Sequence, residues 1–205
     1  MISNEQLIFN KLCSAYPDAM SDVTGLSYND SGARQFIICD AVGFNYDKVL
    51  NCSGSYKRSM KEKSPDALFY NNSKLYFIEF KEGGSQKDDI RLKIHEGITT
   101  LFHFVCKHMP SLTRQQFIEL DINYAVVCRG NGSKAALSAE MLNALENSSK
   151  KYSLKNLEGL ILKKTAVMDE PLQFLKFLNR VTSGAVTKIQ VFEHMGETQT
   201  FDLTA

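Results

Sequence analysis

The chain has 205 residues, 43% of them hydrophobic and 23% charged, which suits one folded domain with a well-covered core. Its 24 basic and 23 acidic side chains argue against a protein coated in positive charge but leave room for a local basic patch. We expect neither a membrane span nor a secretory signal, because no long apolar run occurs and the N-terminus lacks a basic segment before an apolar one. The five cysteines are widely spaced without a CxxC pair, which favours reduced thiols in the cytoplasm.

The first element is a predicted helix over 5–16, with Ser3 and Asn4 as N-cap candidates. Its apolar stripe consists of Ile8, Phe9, Leu12 and Tyr16. Glu5 precedes members of this stripe by three, four and seven positions, which places its side chain on the same face. Glu5 is therefore a site candidate, although acids in a first turn also favour the helix dipole.

Four segments of mixed character follow the first helix. Residues 21–33 are rich in Ser, Asp, Asn and Gly and predict a loop, whereas the apolar run 35–39 predicts a short strand. We expect a short helix over 41–50 and a polar loop over 51–65. This loop contains a basic run, which consists of Lys57, Arg58, Lys61 and Lys63.

A hairpin is predicted next, with strands over 66–70 and 75–81 joined by a turn at 71–73. Gly83-Gly84-Ser85 ends the second strand, and a long helix fits residues 86–108. The apolar stripe of this helix consists of Ile90, Ile94, Ile98, Leu101, Phe102 and Val105. Lys87 and Arg91 fall on the same stripe at the start of the helix, so we expect them to point toward the sheet.

The second half of the chain continues the alternation of strands and helices. Residues 123–129 form a continuous apolar run that predicts a buried strand. The later predictions are a helix over 135–147, a strand within 157–168, a helix over 172–182 with Pro171 at its first position, and a C-terminal hairpin over 188–193 and 198–203. This order predicts one α/β domain with a central mixed sheet flanked by helices.

Three chemically useful side chains end the predicted hairpin. Residues two apart in a strand point to the same side, so Glu79 and Lys81 emerge together with Phe80 facing away. The hairpin brings Asp66 back beside them. Two carboxylates and an amine at one strand end can bind a divalent cation and position a water molecule.

The Pro65-Asp66 pair, the Glu79-Phe80-Lys81 run and the order of the elements resemble the PD-(D/E)xK nuclease superfamily. The resemblance covers roughly residues 3–130, and it implies a restriction-endonuclease-like core. In that family Asp66 and Glu79 would be metal ligands, the Phe80 carbonyl a third ligand, and Lys81 the lysine that orients or deprotonates water. Glu5 would be the acid of the first helix, able to hold a second ion or metal-bound water.

The resemblance also implies a cofactor and a substrate. The metal would be Mg²⁺, with Mn²⁺ able to substitute, and the substrate would be nucleic acid, with DNA favoured over RNA. Lys87 and Arg91 would be the polar groups on the helix after the Glu79 motif. The basic run from Lys57 to Lys63 is a candidate phosphate-contacting segment. A homodimer and the role of residues 131–205 remain open.

Alternative interpretations exist for the three motif residues. Pro65-Asp66 also fits an ordinary turn start, as Pro17-Asp18 does elsewhere in the chain. Glu79 and Lys81 also fit a solvated strand face, but apolar residues share that face and predict burial. A nuclease-like module that binds nucleic acid or a protein without catalysis is the alternative function, and an unrelated protein with a chance motif is the third hypothesis.

Overall fold

The computed structural model describes residues 2–28, 34–49, 62–81, 87–129, 152–159, 162–192 and 197–204. Within these ranges the strands, in chain order, are β1 (Met20–Asp22), β2 (Ile37–Ile38), β3 (Val42–Asn45), β4 (Ala67–Asn71), β5 (Lys74–Lys81), β6 (Ile122–Cys128), β7 (Lys164–Met168), β8 (Lys188–Phe192) and β9 (Thr198–Asp202). The helices are α1 (Asn4–Ala15), α2 (Val23–Leu26), α3 (Lys87–His108), α4 (Arg114–Ile118) and α5 (Pro171–Val181).

In this part of the chain, six strands form a mixed sheet in the order β1-β3-β4-β5-β6-β7. The first four strands of this order pair antiparallel, and β6 and β7 then add in parallel. β2, β8 and β9 form a separate antiparallel sheet. The α/β class with a mixed sheet flanked by helices, predicted from the order of elements, is confirmed.

The hairpin between β4 and β5 follows from its turn. Asn72 and Ser73 both adopt positive φ, 48° and 57°. Left-handed backbone at both central residues matches the right-handed twist of the flanking strands, and asparagine tolerates that conformation well. The turn fixes a register in which Ala67 lies opposite Ile78.

Helices cover both faces of the main sheet. α3 provides the parallel crossover from β5 to β6, and its residues Ile90, Ile94 and Leu101 pack with α1 on one face. α5 packs on the other face, through Phe174 and Leu178. Because all seven residues of β6 are buried, this strand forms the centre of the core, as the apolar run over 123–129 predicts.

The predictions for α1, α3, α5 and the C-terminal hairpin agree with the structure to within about two residues at the described ends. The predicted helix over 41–50 is wrong, because β3 runs along β4 and is followed by a 3₁₀ turn at Tyr46–Lys48. The loop predicted over 21–33 overlaps β1 and contains α2, while the strand predicted over 35–39 has only two residues. The predicted helix over 135–147 lies outside the described residues.

Candidate active site

The β4–β5 register places Asp66 and Glu79 opposite one another. The ladder pairs Ala67 with Ile78, so the next position along it sets Asp66 against Glu79. Side chains alternate along both strands, and the neighbours of these acids on the same face, Leu68 and Phe77, belong to the core beneath α1 and α3. Both carboxylates therefore face α3.

Lys93 of α3 binds both acids. Its Nζ lies 2.7 Å from Oε1 of Glu79 and 3.2 Å from Oδ1 of Asp66. The two carboxylate oxygens are therefore at most about 6 Å apart, the sum of these two distances. The side chain of Glu79 is fully buried, and that of Lys93 is 17% exposed.

Three further ion pairs extend this group of charges. Lys81 Nζ lies 2.7 Å from Oε1 of Glu79 and 3.5 Å from Oδ2 of Asp89. Lys63 also pairs with Asp89. We call the group the acid–lysine cluster, and it consists of Asp66, Glu79, Asp89, Lys63, Lys81 and Lys93.

The carbonyl oxygen of Phe80 is a further oxygen donor at this strand end. The Leu75 amide and the Lys81 carbonyl bond on the β6 side, so the even-numbered Phe80 presents its backbone groups toward β4. Continued by two residues, the β4 register would set Pro65 opposite Phe80, and proline has no N–H to donate. The Phe80 amide donates instead to Oδ2 of Asp66 at 2.6 Å. Pro65 thus leaves the Phe80 carbonyl without the donor that a regular ladder would supply.

Burial is the main cause that raises the pKa of both acids. Burial, and then the charge of Asp66, raise the pKa of Glu79 to about 7 against the lowering effect of Lys93 and Lys81. Burial also raises the pKa of Asp66, opposed by Lys93. For Lys93, burial favours the neutral amine, but Glu79 and Asp66 outweigh it and hold the pKa above its usual value.

Two buried oxygen atoms at or near the acid pair belong to Glu79 and Tyr124. Among the described residues, neither Oε2 of Glu79 nor the hydroxyl of Tyr124 has a hydrogen-bond partner. Burial, followed by the charges of Glu79 and Asp66, raises the pKa of Tyr124 well above its usual value. A buried carboxylate oxygen without a partner is costly, so it is available to a ligand that enters this strand end.

The side chains alone do not form a complete metal site. Over the ranges that the structure describes, no group of three or more His, Cys, Asp or Glu residues is placed to hold a metal ion. The available donors are the carboxylates of Asp66 and Glu79 and the Phe80 carbonyl. This all-oxygen set suits a hard cation such as Mg²⁺, whose remaining positions are commonly filled by water and phosphate.

Glu5 lies apart from the acid–lysine cluster, so the structure gives no support to its predicted role as a catalytic and metal-binding residue. Its Oε1 accepts a hydrogen bond from the Asp121 amide at 2.9 Å, just before β6 begins. The first residue of β6 pairs with Leu75, which is four residues and about 13 Å along β5 from Glu79. The helical stripe correctly predicts that Glu5 is buried, but the side chain satisfies backbone at the opposite end of the strand.

The basic candidates are divided among several places. Arg91 donates from Nη1 to the Ser153 carbonyl at 3.1 Å and thus contacts the segment 152–159. Lys87 is the first residue of α3. Lys63 belongs to the cluster through Asp89. The other candidates lie outside the described residues: Lys57, Arg58 and Lys61.

The sequence analysis misses two residues of the acid–lysine cluster, Lys93 and Asp89, and Lys93 is the one that contacts both acids. It lies four residues after Asp89 and one before Ile94, at the edge of the apolar stripe of α3. A lysine at this edge is consistent with either a solvated charge or a partly buried one. The detectable signal is its spacing from Asp89, which places both side chains on the same side of α3 over the end of β5.

Searches against protein-family models, curated proteins and solved structures found no match to this chain. What the structure defines is therefore a class of fold, an α/β protein with a mixed sheet and helices on both faces. No helix in the described ranges is both long and apolar enough to cross a bilayer.

Proposed function

We propose that this chain is a divalent-metal-dependent nuclease that hydrolyses phosphodiester bonds of nucleic acid, with DNA favoured over RNA. The observation that carries the proposal is the meeting of Asp66 and Glu79, on facing strands, with Lys81 beside them. The resemblance of these residues to the PD-(D/E)xK motif supports it. A restriction-endonuclease-like arrangement of the core is part of the same proposal.

The donor set fits a hard cation. Asp66 and Glu79 would hold Mg²⁺, with Mn²⁺ able to substitute, and the Phe80 carbonyl would add a third oxygen. Among the described residues Oε2 of Glu79 has no partner, which supports this assignment because the atom is buried and available to a ligand. When bound, the cation would supply charge stabilisation for the phosphate oxygens and the leaving group.

The lysines supply the remaining chemistry. Lys81 projects from the same strand face as Glu79 and is 19% exposed, so its ammonium can reach solvent and substrate. It would donate to the attacking water or to a phosphate oxygen and so orient the nucleophile. The charge of Lys93 would attract the phosphate backbone toward the same strand end.

A non-catalytic module is the second candidate function, and one observation favours it. The three carboxylates of the acid–lysine cluster are matched by three ammonium groups, so the cluster forms a network of ion pairs without a metal ion. Such a network can fix the position of α3 over β5 with no catalytic role. In that case the chain would bind nucleic acid or a protein partner without cleaving it.

A cleavage assay separates the two functions. Plasmid DNA, single-stranded DNA and structured RNA would be incubated with the protein and either Mn²⁺ or EDTA. Asp66→Asn and Lys81→Met test the site, and Asp121→Asn is the matched control, because Asp121 pairs with Lys74 at the other end of β5. Mn²⁺-dependent cleavage that both site variants lose and the control retains supports the nuclease. Binding without cleavage supports the second function, and the absence of both contradicts the two proposals.

A further inference from the structure

We propose that Lys93 acts as an internal counter-cation that makes metal binding at Asp66 and Glu79 conditional on the phosphodiester substrate. The inference rests on the proposed nuclease function and concerns how the same site is regulated. In this scheme Lys93 competes with the metal in the free protein. The phosphate backbone accepts Lys93 when nucleic acid binds, which frees both acids for the metal.

The contacts of Lys93 support its competition with the metal. It is the member of the acid–lysine cluster whose ammonium contacts Asp66 and Glu79 at once, at 3.2 and 2.7 Å. Oδ2 of Asp66 accepts from the Phe80 amide, and Lys93 contacts the other oxygen, Oδ1. A metal that bridges the two acids through the unpartnered Oε2 of Glu79 would still have to share or replace a contact on Asp66, whose Oδ1 binds Lys93.

The charge of the acid–lysine cluster explains why metal binding should be weak in the free protein. Its three carboxylates and three ammonium groups neutralise one another, with Lys81 and Lys63 on Asp89 completing the set. Adding a divalent ion gives the six groups of the cluster a net charge of +2, which the nearby carboxylate of Asp47 offsets only in part. Repulsion at such distances should weaken binding by at least about a hundredfold per nearby charge at the effective dielectric of protein sites.

The substrate removes this penalty. A nucleic acid backbone carries one negative charge per phosphate, and a flexible lysine side chain can follow it. Lys93 is 17% exposed, so its ammonium can exchange the acids for a phosphate without leaving the protein surface. Because linkage is reciprocal, nucleic acid should strengthen metal binding by the same factor that the metal strengthens nucleic acid binding. A lysine with only a structural role would not couple the two ligands.

The test is a Mn²⁺ titration, followed by electron paramagnetic resonance, with and without a short DNA duplex that carries phosphorothioate linkages to prevent cleavage. Lys93→Met removes the charge and keeps the length of the side chain. Lys107→Met is the matched control, because it makes the same change at an exposed position of α3.

In the wild-type protein and the control, we expect the duplex to tighten Mn²⁺ binding at least about tenfold. Without the duplex, Lys93→Met should bind Mn²⁺ at least about tenfold more tightly than the wild type. The duplex should then tighten Mn²⁺ binding by only a small fraction of the factor seen in the wild type. Thermal melting provides a second readout. Loss of Lys93 leaves two acids facing one another, so Mn²⁺ alone should raise the melting temperature of Lys93→Met more than that of the wild type.

Lys93→Arg is the control for a folding defect. It retains the charge, so Mn²⁺ and the duplex should strengthen one another's binding as they do in the wild type. Equal Mn²⁺ affinity in wild type and Lys93→Met, with no effect of the duplex, would overturn the inference and leave the metal site intact. If neither protein binds Mn²⁺ under any condition, the assignment of the metal site is contradicted, and so is the proposed nuclease function.

Discussion

A buried glutamate lies near each end of β5, and the two have different surroundings. At the start of the strand, Glu5 accepts a hydrogen bond from the Asp121 amide. At the other end, Glu79 lies beside a second acid, with two lysines on one oxygen and the other oxygen unpartnered among the described residues. In the first arrangement the carboxylate provides a hydrogen-bond acceptor for a backbone amide. The second brings two carboxylates together in a buried position, which raises the pKa of Glu79. Acids with perturbed pKa values concentrate at functional sites.

The largest expected difference between the two ends is in cleavage. Asp66→Asn should reduce the Mn²⁺-dependent cleavage rate by more than about a hundredfold, because it removes a charged metal ligand. Glu5→Gln should cleave at close to the wild-type rate, since an amide oxygen can still accept from Asp121. Initial rates on the preferred substrate measure both. Equal losses in the two variants would show that the two ends do not differ in function.

The second difference is in the pH dependence of stability without metal. The pKa of Glu79 is raised from its ordinary 4.5 to about 7 in the folded protein, so between these values the folded state binds more protons than the unfolded state. The stability that protonated Glu79 contributes is complete below pH 4.5 and is lost as the pH rises through about 7. Urea denaturation should show a decrease of up to about 3 kcal/mol from this group across that window.

Glu79→Gln is the control for that pH dependence, because glutamine resembles the protonated acid and does not titrate. Its stability curve should be flatter than that of the wild type between pH 5 and 8, and at pH 8 it should be at least as stable. A Glu79→Gln protein that loses several kcal/mol at pH 8 would instead show that the carboxylate is a structural partner of Lys81 and Lys93.

At the other end of β5, Glu5→Ala should lower the free energy of unfolding by about 1–3 kcal/mol, because the Asp121 amide loses its acceptor. Adding Mn²⁺ should not restore this loss. Chemical denaturation with and without the metal checks both statements. A loss that Mn²⁺ reverses would place Glu5 in the metal site after all.

How much of this contrast the sequence predicts depends on the range of the interactions involved. The turn at Asn72-Ser73 and the strand alternation are local, so the hairpin and the apposition of Asp66 with Glu79 follow from the residues themselves. The helical stripe likewise predicts that Glu5 is buried, but periodicity does not state which end of a strand a helix start will reach.

The remaining features depend on contacts between distant segments. Lys93 reaches the acids because α3 docks with its second turn over the end of β5, and the position of docking is not encoded in helical spacing. The segment 42–45 becomes a strand because Phe44 pairs with Leu68, a nonlocal contact that overrides a local helical pattern.

The smallest expected effect belongs to the exposed ion pair at the start of β5. Lys74 Nζ lies 2.8 Å from Oδ2 of Asp121, and the two side chains are 40% and 31% exposed. Lys74→Met should change stability by only about 0.2–1 kcal/mol and leave cleavage unaltered, because solvent screens such pairs. Paired melting and cleavage measurements test this, and a clear loss of cleavage would extend the functional surface to this end of the strand.

The central claim is that Asp66 and Glu79 bind a divalent cation together, and Mn²⁺ binding measured in the presence of phosphorothioate DNA tests it most directly. We predict that electron paramagnetic resonance will detect bound Mn²⁺ with the wild-type protein and with Glu5→Gln. With Asp66→Asn the bound signal should be lost. Undiminished Mn²⁺ binding by Asp66→Asn, or no binding by the wild-type protein, would contradict the claim.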